Sequence, residues 1–295
     1  MRAVLYDTLA ALAEEDPSVY VIVADLGTFP MFRKRFPDRF INVGVAEPNS
    51  VGIAAGLASE GKRVFLYGVA GFLIYRGFEQ IKFSIGYWNQ PVCIIGSGFM
   101  WRFHRIGRGH HAADELALMR LMPNMRIVAP ADVARLPDIL RADQRGPIFV
   151  RLGEGLEIGS IDDIPSFGKD VCVFALGETT KRCVEAVRQL RHKGLDIGLK
   201  AVEEIGLQAL AKTLSLMPPS SQIVVVEDHV ALGGIGSMVR ELGYIVARHI
   251  CLPVNVEYIT RDEATLIAHY GFDTNSFLAE FDPTNWNESR NITVH

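Results

Sequence analysis

The apolar positions along the chain change period repeatedly, and each change predicts an element. Val4 to Ala13 carries apolar residues at helical spacing, whereas Val19 to Ala24 is a continuous β-rich run that stops at Asp25. Runs of the second kind recur at Arg63 to Val69, Val92 to Ser97, Arg126 to Ala129 and Ile148 to Arg151, with helical stretches between them such as Ala131 to Ala142. Continuous apolar runs imply strands covered on both faces, so the pattern predicts a mostly parallel sheet with helices on either side. Phe40 to Val45 is a shorter run that predicts a buried strand broken at Gly44. Glu47 then opens a helix, with Pro48 suited to its first position and small or apolar residues from Val51 to Leu57 for close packing.

The periodicity lapses between Gly153 and Asp170, where Gly, Asp, Ser and Pro accumulate, and resumes at Val171. Val171 to Leu176 predicts a strand, Gly177 a turn, and Thr179 or Thr180 the cap of a helix running to about His192. Ile223 to Val226 predicts another strand, followed by Glu227-Asp228-His229 and by Gly233-Gly234-Ile235-Gly236 at a helix mouth. The glycine spacing is not that of a dinucleotide fingerprint, so close backbone packing is the expectation. Together these readings predict an α/β domain over residues 1–155, a linker at 156–169, a smaller α/β domain at 170–279 and an irregular polar tail at 280–295.

Composition narrows the function classes. With 295 residues, 49% hydrophobic and 22% charged, the chain is long enough for two real cores. A net charge of −4 without a basic run argues against nucleic acid as a partner. The four cysteines are scattered with no Cys-x-x-Cys pair, which predicts buried, reduced thiols rather than a metal cage and fits the cytoplasm. The first residues mix Arg2 and Asp7 into a helical pattern unlike a signal peptide, and no apolar stretch is long enough to span a bilayer.

Candidate chemistry lies in two stretches. A carboxylate at a helix mouth, as Glu47 is, can serve as a plain N-terminal anion or as an acid/base group. Phe72, Tyr75 and Phe78 recur every third residue, as core or as a flat apolar wall. Gly96 to Gly109 predicts a loop at the C-terminal end of a strand, where open α/β sheets bind ligands; it carries Arg102, His104, Arg105 and Arg108 ahead of His110-His111. Several basic groups converging there suit an anion or acid/base site. A metal is less favoured, because no carboxylate or thiol stands at ligand spacing from the histidines.

At these residues the chain resembles a known family. Gly44-Val-Ala-Glu47-Pro-Asn49 with Gly52-Ile-Ala-Ala-Gly-Leu-Ala58, the aromatic helix, His110-His111 and Met119-Arg120-Leu-Met-Pro123-Asn124-Met125 are similar to the pyrimidine-binding domain of transketolases. Val224-Val-Val-Glu227-Asp-His-Val-Ala-Leu-Gly233-Gly234-Ile-Gly236 is similar to the transketolase C-terminal domain. The resemblance implies that Glu47 hydrogen-bonds the aminopyrimidine of thiamine diphosphate and favours its imino tautomer, that Phe72, Tyr75 and Phe78 hold that ring, and that Asp25 lies near it. It implies proton transfer by His110 at the substrate. Arg2 matches a phosphate-binding arginine and Arg151 falls near another. His104, His111 and the arginines Arg102, Arg105 and Arg108 are expected on the substrate side from their loop, where the arginines depart from the acidic and small residues usual in the family.

The family's Gly-Asp-Gly motif, which helps hold the divalent metal and diphosphate, is missing from the sequence. The resemblance therefore implies the C-terminal subunit of a split transketolase. An N-terminal partner chain would carry that motif and hold Mg2+ or Ca2+, in a heterotetramer of two chains of each kind with the cofactor across the interface. Phe29 and Gly98 replace a serine and a histidine that bind the acceptor phosphate, Ile106 replaces an aspartate that reads a sugar hydroxyl, and Pro48 and Ser50 replace commoner neighbours of Glu47. These departures imply a specialised ketol transfer from a ketose to an aldehyde, outside the pentose phosphate pathway. The alternatives are a decarboxylating thiamine enzyme, such as the beta chain of a 2-oxo acid dehydrogenase or a pyruvate-using synthase, and a non-catalytic structural subunit.

Overall fold

The continuous apolar runs become strands of two parallel sheets in a computed structural model that describes residues 1–26, 29–99, 103–153, 161, 163–257, 262–286 and 293–294. The first sheet holds β1 (Val19–Val23), β2 (Phe40–Asn42), β3 (Arg63–Val69), β4 (Val92–Ser97), β5 (Arg126–Val128) and β6 (Ile148–Arg151) in the order β2-β1-β3-β4-β6-β5. Every neighbouring pair is parallel. Around it lie α1 (Arg2–Glu15), α2 (Pro30–Arg35), α3 (Glu47–Ser59), α4 (Ala70–Gln80), α5 (Glu115–Met119) and α6 (Leu136–Arg141). The strand order reverses between β1 and β3, so the C-terminal ends of the central strands, where α4 and the histidine loop begin, form the crevice in which such sheets bind ligands. Only β2 departs from its forecast. It is three residues long and half-buried, because as the edge strand it pairs on one side alone.

The second sheet runs β11-β10-β9-β7-β8, with β7 (Val171–Leu176), β8 (Ile197–Val202), β9 (Gln222–Val230), β10 (Val246–Leu252) and β11 (Thr293–Val294), again all parallel. Its helices are α7 (Thr179–His192), α8 (Leu207–Leu214), α9 (Ile235–Glu241), α10 (Glu263–His269) and α11 (Thr274–Phe281). Thr179 and Thr180 do not cap α7: their hydroxyls donate to the carbonyls of Leu176 and Gly177. Glu227-Asp228-His229 lies inside β9 rather than after it. The described part of the tail, residues 280–286 and 293–294, carries regular structure that its polarity did not predict. α11 runs into it, the Trp286 indole donates to the Glu280 carbonyl, and Thr293–Val294 pairs with β10. Much of the linker's end is also packed, since Ile164 joins the second domain's core and Leu199 N–H donates to the Pro165 carbonyl.

One core is common to both domains. It joins the inner face of the first sheet, through Ile22, Leu66, Ile94 and Phe149, to that of the second, through Phe174, Val225 and Val246. The seam is stitched by backbone bonds from Ala129 N–H to the Glu203 carbonyl and from Ile205 N–H to the Ile127 carbonyl. All four cysteines are free and buried. Burial pushes the Cys93 and Cys251 thiols up to about 12 and raises those of Cys172 and Cys183 as well.

Candidate active site

Glu47 occupies the first position of α3, and its placement begins with two neighbours in sequence. Asn42 accepts the Gly44 N–H on its side-chain oxygen at 2.9 Å, and Gly44 takes a left-handed φ of +69°, turning the chain from β2 into the helix. The Glu47 side chain is buried, at the positive end of the helix dipole. α4 crosses close above it, because at Gly77 an added Cβ would stand 3.2 Å from Val51. That approach brings Arg76 within reach, with Nη1 donating at 3.0 and 3.1 Å to the two carboxylate oxygens. The same guanidinium lies 4.2 Å from the centre of the Phe72 ring, one helical turn earlier. The Arg76 side chain is 46% exposed against 6% for Glu47, so among the described residues the carboxylate has one hydrogen-bond partner and that partner can leave toward solvent.

Of the three aromatics, Phe72 alone shares this face. A step of three residues turns a helix by 300°, so Tyr75 and Phe78 rotate progressively away, while Arg76 returns to the Phe72 stripe. The Tyr75 hydroxyl bonds Asp114, and Phe78 packs against the shared core. The Phe72 ring meets the His110 ring edge-on at 4.8 Å. Two glycines set that meeting: a Cβ at Gly71 would lie 3.0 Å from the His111 carbonyl, and one at Gly98 2.9 Å from the His110 carbonyl. His111 is buried beside a cavity of about 160 Å³ that Tyr75, Asp114 and Val230 also line. Burial, with the nearby His104, Arg151 and His110, pushes its pKa down to about 4, so it is neutral at physiological pH.

The other expected site residues divide. Asp25 is exposed at the end of β1 with φ +49°, and its N–H faces the Asn42 oxygen at 3.4 Å. Arg2 is half-buried at the start of α1, its Nε without a hydrogen-bond partner among the described residues. In the loop His104 is buried and Arg105 exposed, whereas Arg102 and the Arg108 side chain lie outside the described residues. Arg151 already has partners within the chain. It is buried, with Nε donating to Glu115 Oε1 at 2.8 Å, Nη1 to Asp228 Oδ1 at 2.7 Å and Nη2 to the Asp228 carbonyl at 3.0 Å, so both edges of its guanidinium are held in the seam between domains.

The sequence pattern of the transketolase pyrimidine-binding domain matches residues 1–157, and that of the transketolase C-terminal domain matches residues 163–276. This chain belongs to the transketolase family. It is 29% identical over 289 residues to one of the subunits of the apulose-4-phosphate transketolase of Phocaeicola vulgatus, covering 90% of this chain and 91% of that protein. It is 30% identical over 263 residues to the putative transketolase C-terminal section of Methanocaldococcus jannaschii, covering 82% and 81%. A solved split gene transketolase, described as an inactive beta4 tetramer, superposes with a TM-score of 0.78 at 30% identity over 95% of this chain and 96% of that one. The fold here is therefore that of the pyrimidine-binding and C-terminal domains of transketolases, the pair that the split gene relative carries.

Transketolases depend on thiamine diphosphate, and the residues fit one half of it. Glu47, buried behind a displaceable arginine that also lies over the Phe72 ring, suits an aminopyrimidine. The glycine-rich helix mouth does not suit the diphosphate, because Glu227 already fills it. Its carboxylate accepts the Ile235 N–H at 2.6 Å and the Gly236 N–H at 3.2 Å, and a Cβ at Gly234 would collide with it. No group of three or more His, Cys, Asp or Glu among the described residues is placed to hold a metal. No helix among them is long and apolar enough to cross a membrane. Sequence reasoning missed Arg76, whose only signal was a charge inside an apolar helix, and left Glu115 and Asp228 without a role.

Proposed function

We propose that this chain is the pyrimidine-binding subunit of a specialised two-chain ketol transferase, moving a two-carbon unit from a ketose to an aldehyde. The observation that carries the reading is Glu47 buried at the α3 mouth with a solvent-facing partner. When bound, thiamine diphosphate supplies the nucleophilic carbon and the electron sink. Glu47 holds a proton at the pyrimidine nitrogen once Arg76 has given way, and Phe72 offers that ring a flat apolar wall that excludes water. His110, half-buried on the edge of Phe72, exchanges a proton with the substrate oxygen. The exposed Arg105 stands on the same loop as an anion-binding group, with Arg102 and Arg108 as further candidates.

An N-terminal partner chain with Gly-Asp-Gly supplies the metal and the diphosphate site, in an assembly of two chains of each kind, in the cytoplasm. The relatives' names, with apulose 4-phosphate in one and 6-deoxy-6-sulfo-D-fructose in another, support an unusual ketose rather than a pentose phosphate. Calorimetric titration of thiamine diphosphate with Mg2+ into this chain alone and into the two-chain mixture tests the reading. Tight metal-dependent binding is expected only in the mixture, and tight binding by the single chain would overturn it.

A further inference from the structure

Asp228 and His229, which the reaction has so far left aside, face the loop that carries the histidine pair. Val230 N–H donates to the Ala113 carbonyl at 2.7 Å. Leu116 N–H donates to His229 Nε2 at 3.2 Å, so that nitrogen is the acceptor of a neutral ring and Nδ1 carries the proton, donating to the Val230 carbonyl at 2.7 Å. Arg120 Nη1 donates to the Gly233 carbonyl at 2.9 Å. The five-residue α5 is too short to hold itself, and its Asp114 cap makes no side-chain bond to it, so residues 113–120 depend on polar anchors from outside: Tyr75 and Arg151 in their own domain, and residues 229–233 with Glu241 in the C-terminal domain.

Arg151 completes the arrangement by gripping both ends of the loop. Its guanidinium lies 4.2 Å from the centre of the Phe99 ring at the loop's start and bonds Glu115 just past its end, while Asp228 holds it by side chain and backbone. Glu115 and His229 are fully buried, and Asp228 and Arg151 nearly so. A neutral histidine acting as acceptor at a helix start and a carboxylate aimed at a buried arginine amount to a specific grip rather than a greasy contact.

We infer that Asp228 and His229 are positioning residues of the C-terminal domain, which with Arg151 fix the His110–His111 loop against α4 and the end of β4. The inference rests on the function proposed above, since it gives the loop's histidines their working geometry. It assigns the C-terminal domain a part in substrate handling while leaving cofactor activation to Glu47.

The test uses the assembled two-chain enzyme with Asp228→Asn, His229→Leu and His229→Gln, the last keeping an acceptor for the Leu116 N–H. Three quantities are read: amide hydrogen exchange over residues 103–120, the C2 proton exchange of bound thiamine diphosphate, and ketol transfer with hydroxypyruvate as the minimal donor. Asp228→Asn and His229→Leu should speed amide exchange in the loop and lower the kcat of transfer by roughly tenfold to a hundredfold, the scale of misplacing a catalytic group by about an ångström. C2 exchange should stay within about twofold of wild type, and His229→Gln should recover most of the transfer rate. Unchanged amide exchange, or transfer and C2 exchange falling together, would overturn the inference. If His229→Leu fails to fold, the isosteric Asp228→Asn and His229→Gln decide it. A wild-type assembly lacking both C2 exchange and transfer would instead sink the proposed function, and the amide exchange of the variants would still report on the grip.

Discussion

At the mouth of α3 Glu47 is buried, yet its ion-pair partner Arg76 stands nearly half in solvent; at the mouth of α9 Glu227 is buried and so is everything it touches. Glu227 receives two backbone N–H groups and His249 Nε2 at 2.6 Å. Arg240 reaches His249 Nδ1 at 3.1 Å, and because arginine can only donate, the imidazole carries its proton on Nε2 and donates it to Glu227. Both carboxylates stand at a helix start, but only Glu227 accepts the helix N–H groups. One can exchange its partner for a ligand and the other cannot, so burial alone does not separate a reactive glutamate from a structural one; the accessibility of its partner does.

Exchanging the acid for an amide at each mouth should give opposite results. Glu47→Gln should lower ketol transfer by roughly a hundredfold or more in the assembled enzyme, the scale of removing a positioned acid/base group, with assembly and melting temperature unchanged. Near-normal C2 proton exchange in that variant would reduce Glu47 to a helix cap. Glu227→Gln should leave turnover per folded molecule intact but cost about 2–4 kcal/mol of stability by breaking a buried charged network, read as a melting temperature lower by several degrees. A wild-type melting curve would mean that the α9 mouth does not depend on its glutamate.

Two smaller effects sharpen the contrast. His111 is held down to about 4 against an ordinary 6.5, so it adds stability above pH 6.5 that is lost as pH falls through 4. His111→Gln should flatten the decline of melting temperature across that window, by up to about 3 kcal/mol at its acid end; an unaltered slope would refute the assignment. Arg105→Ala should raise KM about tenfold for an anionic ketol substrate and leave a neutral analogue unaffected, whereas equal effects on both would assign Arg105 to structure or interface.

The sequence exposed the elements whose strands are uniformly apolar. β1, β3, β4, β6 and β7 lie where continuous runs put them, and Glu47 was legible because Gly44 and Pro48 frame a helix start. β8 and β10 stayed hidden because Lys200 interrupts the first and Arg248 and His249 the second. Their partners are distant in sequence: Arg248 lies 4.9 Å from the Trp286 ring and His249 bonds Glu227. The same distance explains the site. Arg76 meets a glutamate 29 residues away, and Arg151 meets Glu115 and Asp228 at separations of 36 and 77, contacts that no local period announces. Spacing three across Phe72, Tyr75 and Phe78 suggested one wall, but a helix divides those rings between Glu47's face, Asp114 and the core.

The interior cysteines have a practical consequence for studying assembly. Thiolate is the form that alkylates, and burial raises the thiol pKa of all four cysteines, so the native chain presents no fast-reacting sulfur. A single Glu79→Cys on the exposed side of α4 would then take a fluorophore selectively without first stripping the native cysteines. The protein thus comes ready as a labelling background, with which the approach of a second chain to the Glu47 face can be followed as a distance in real time.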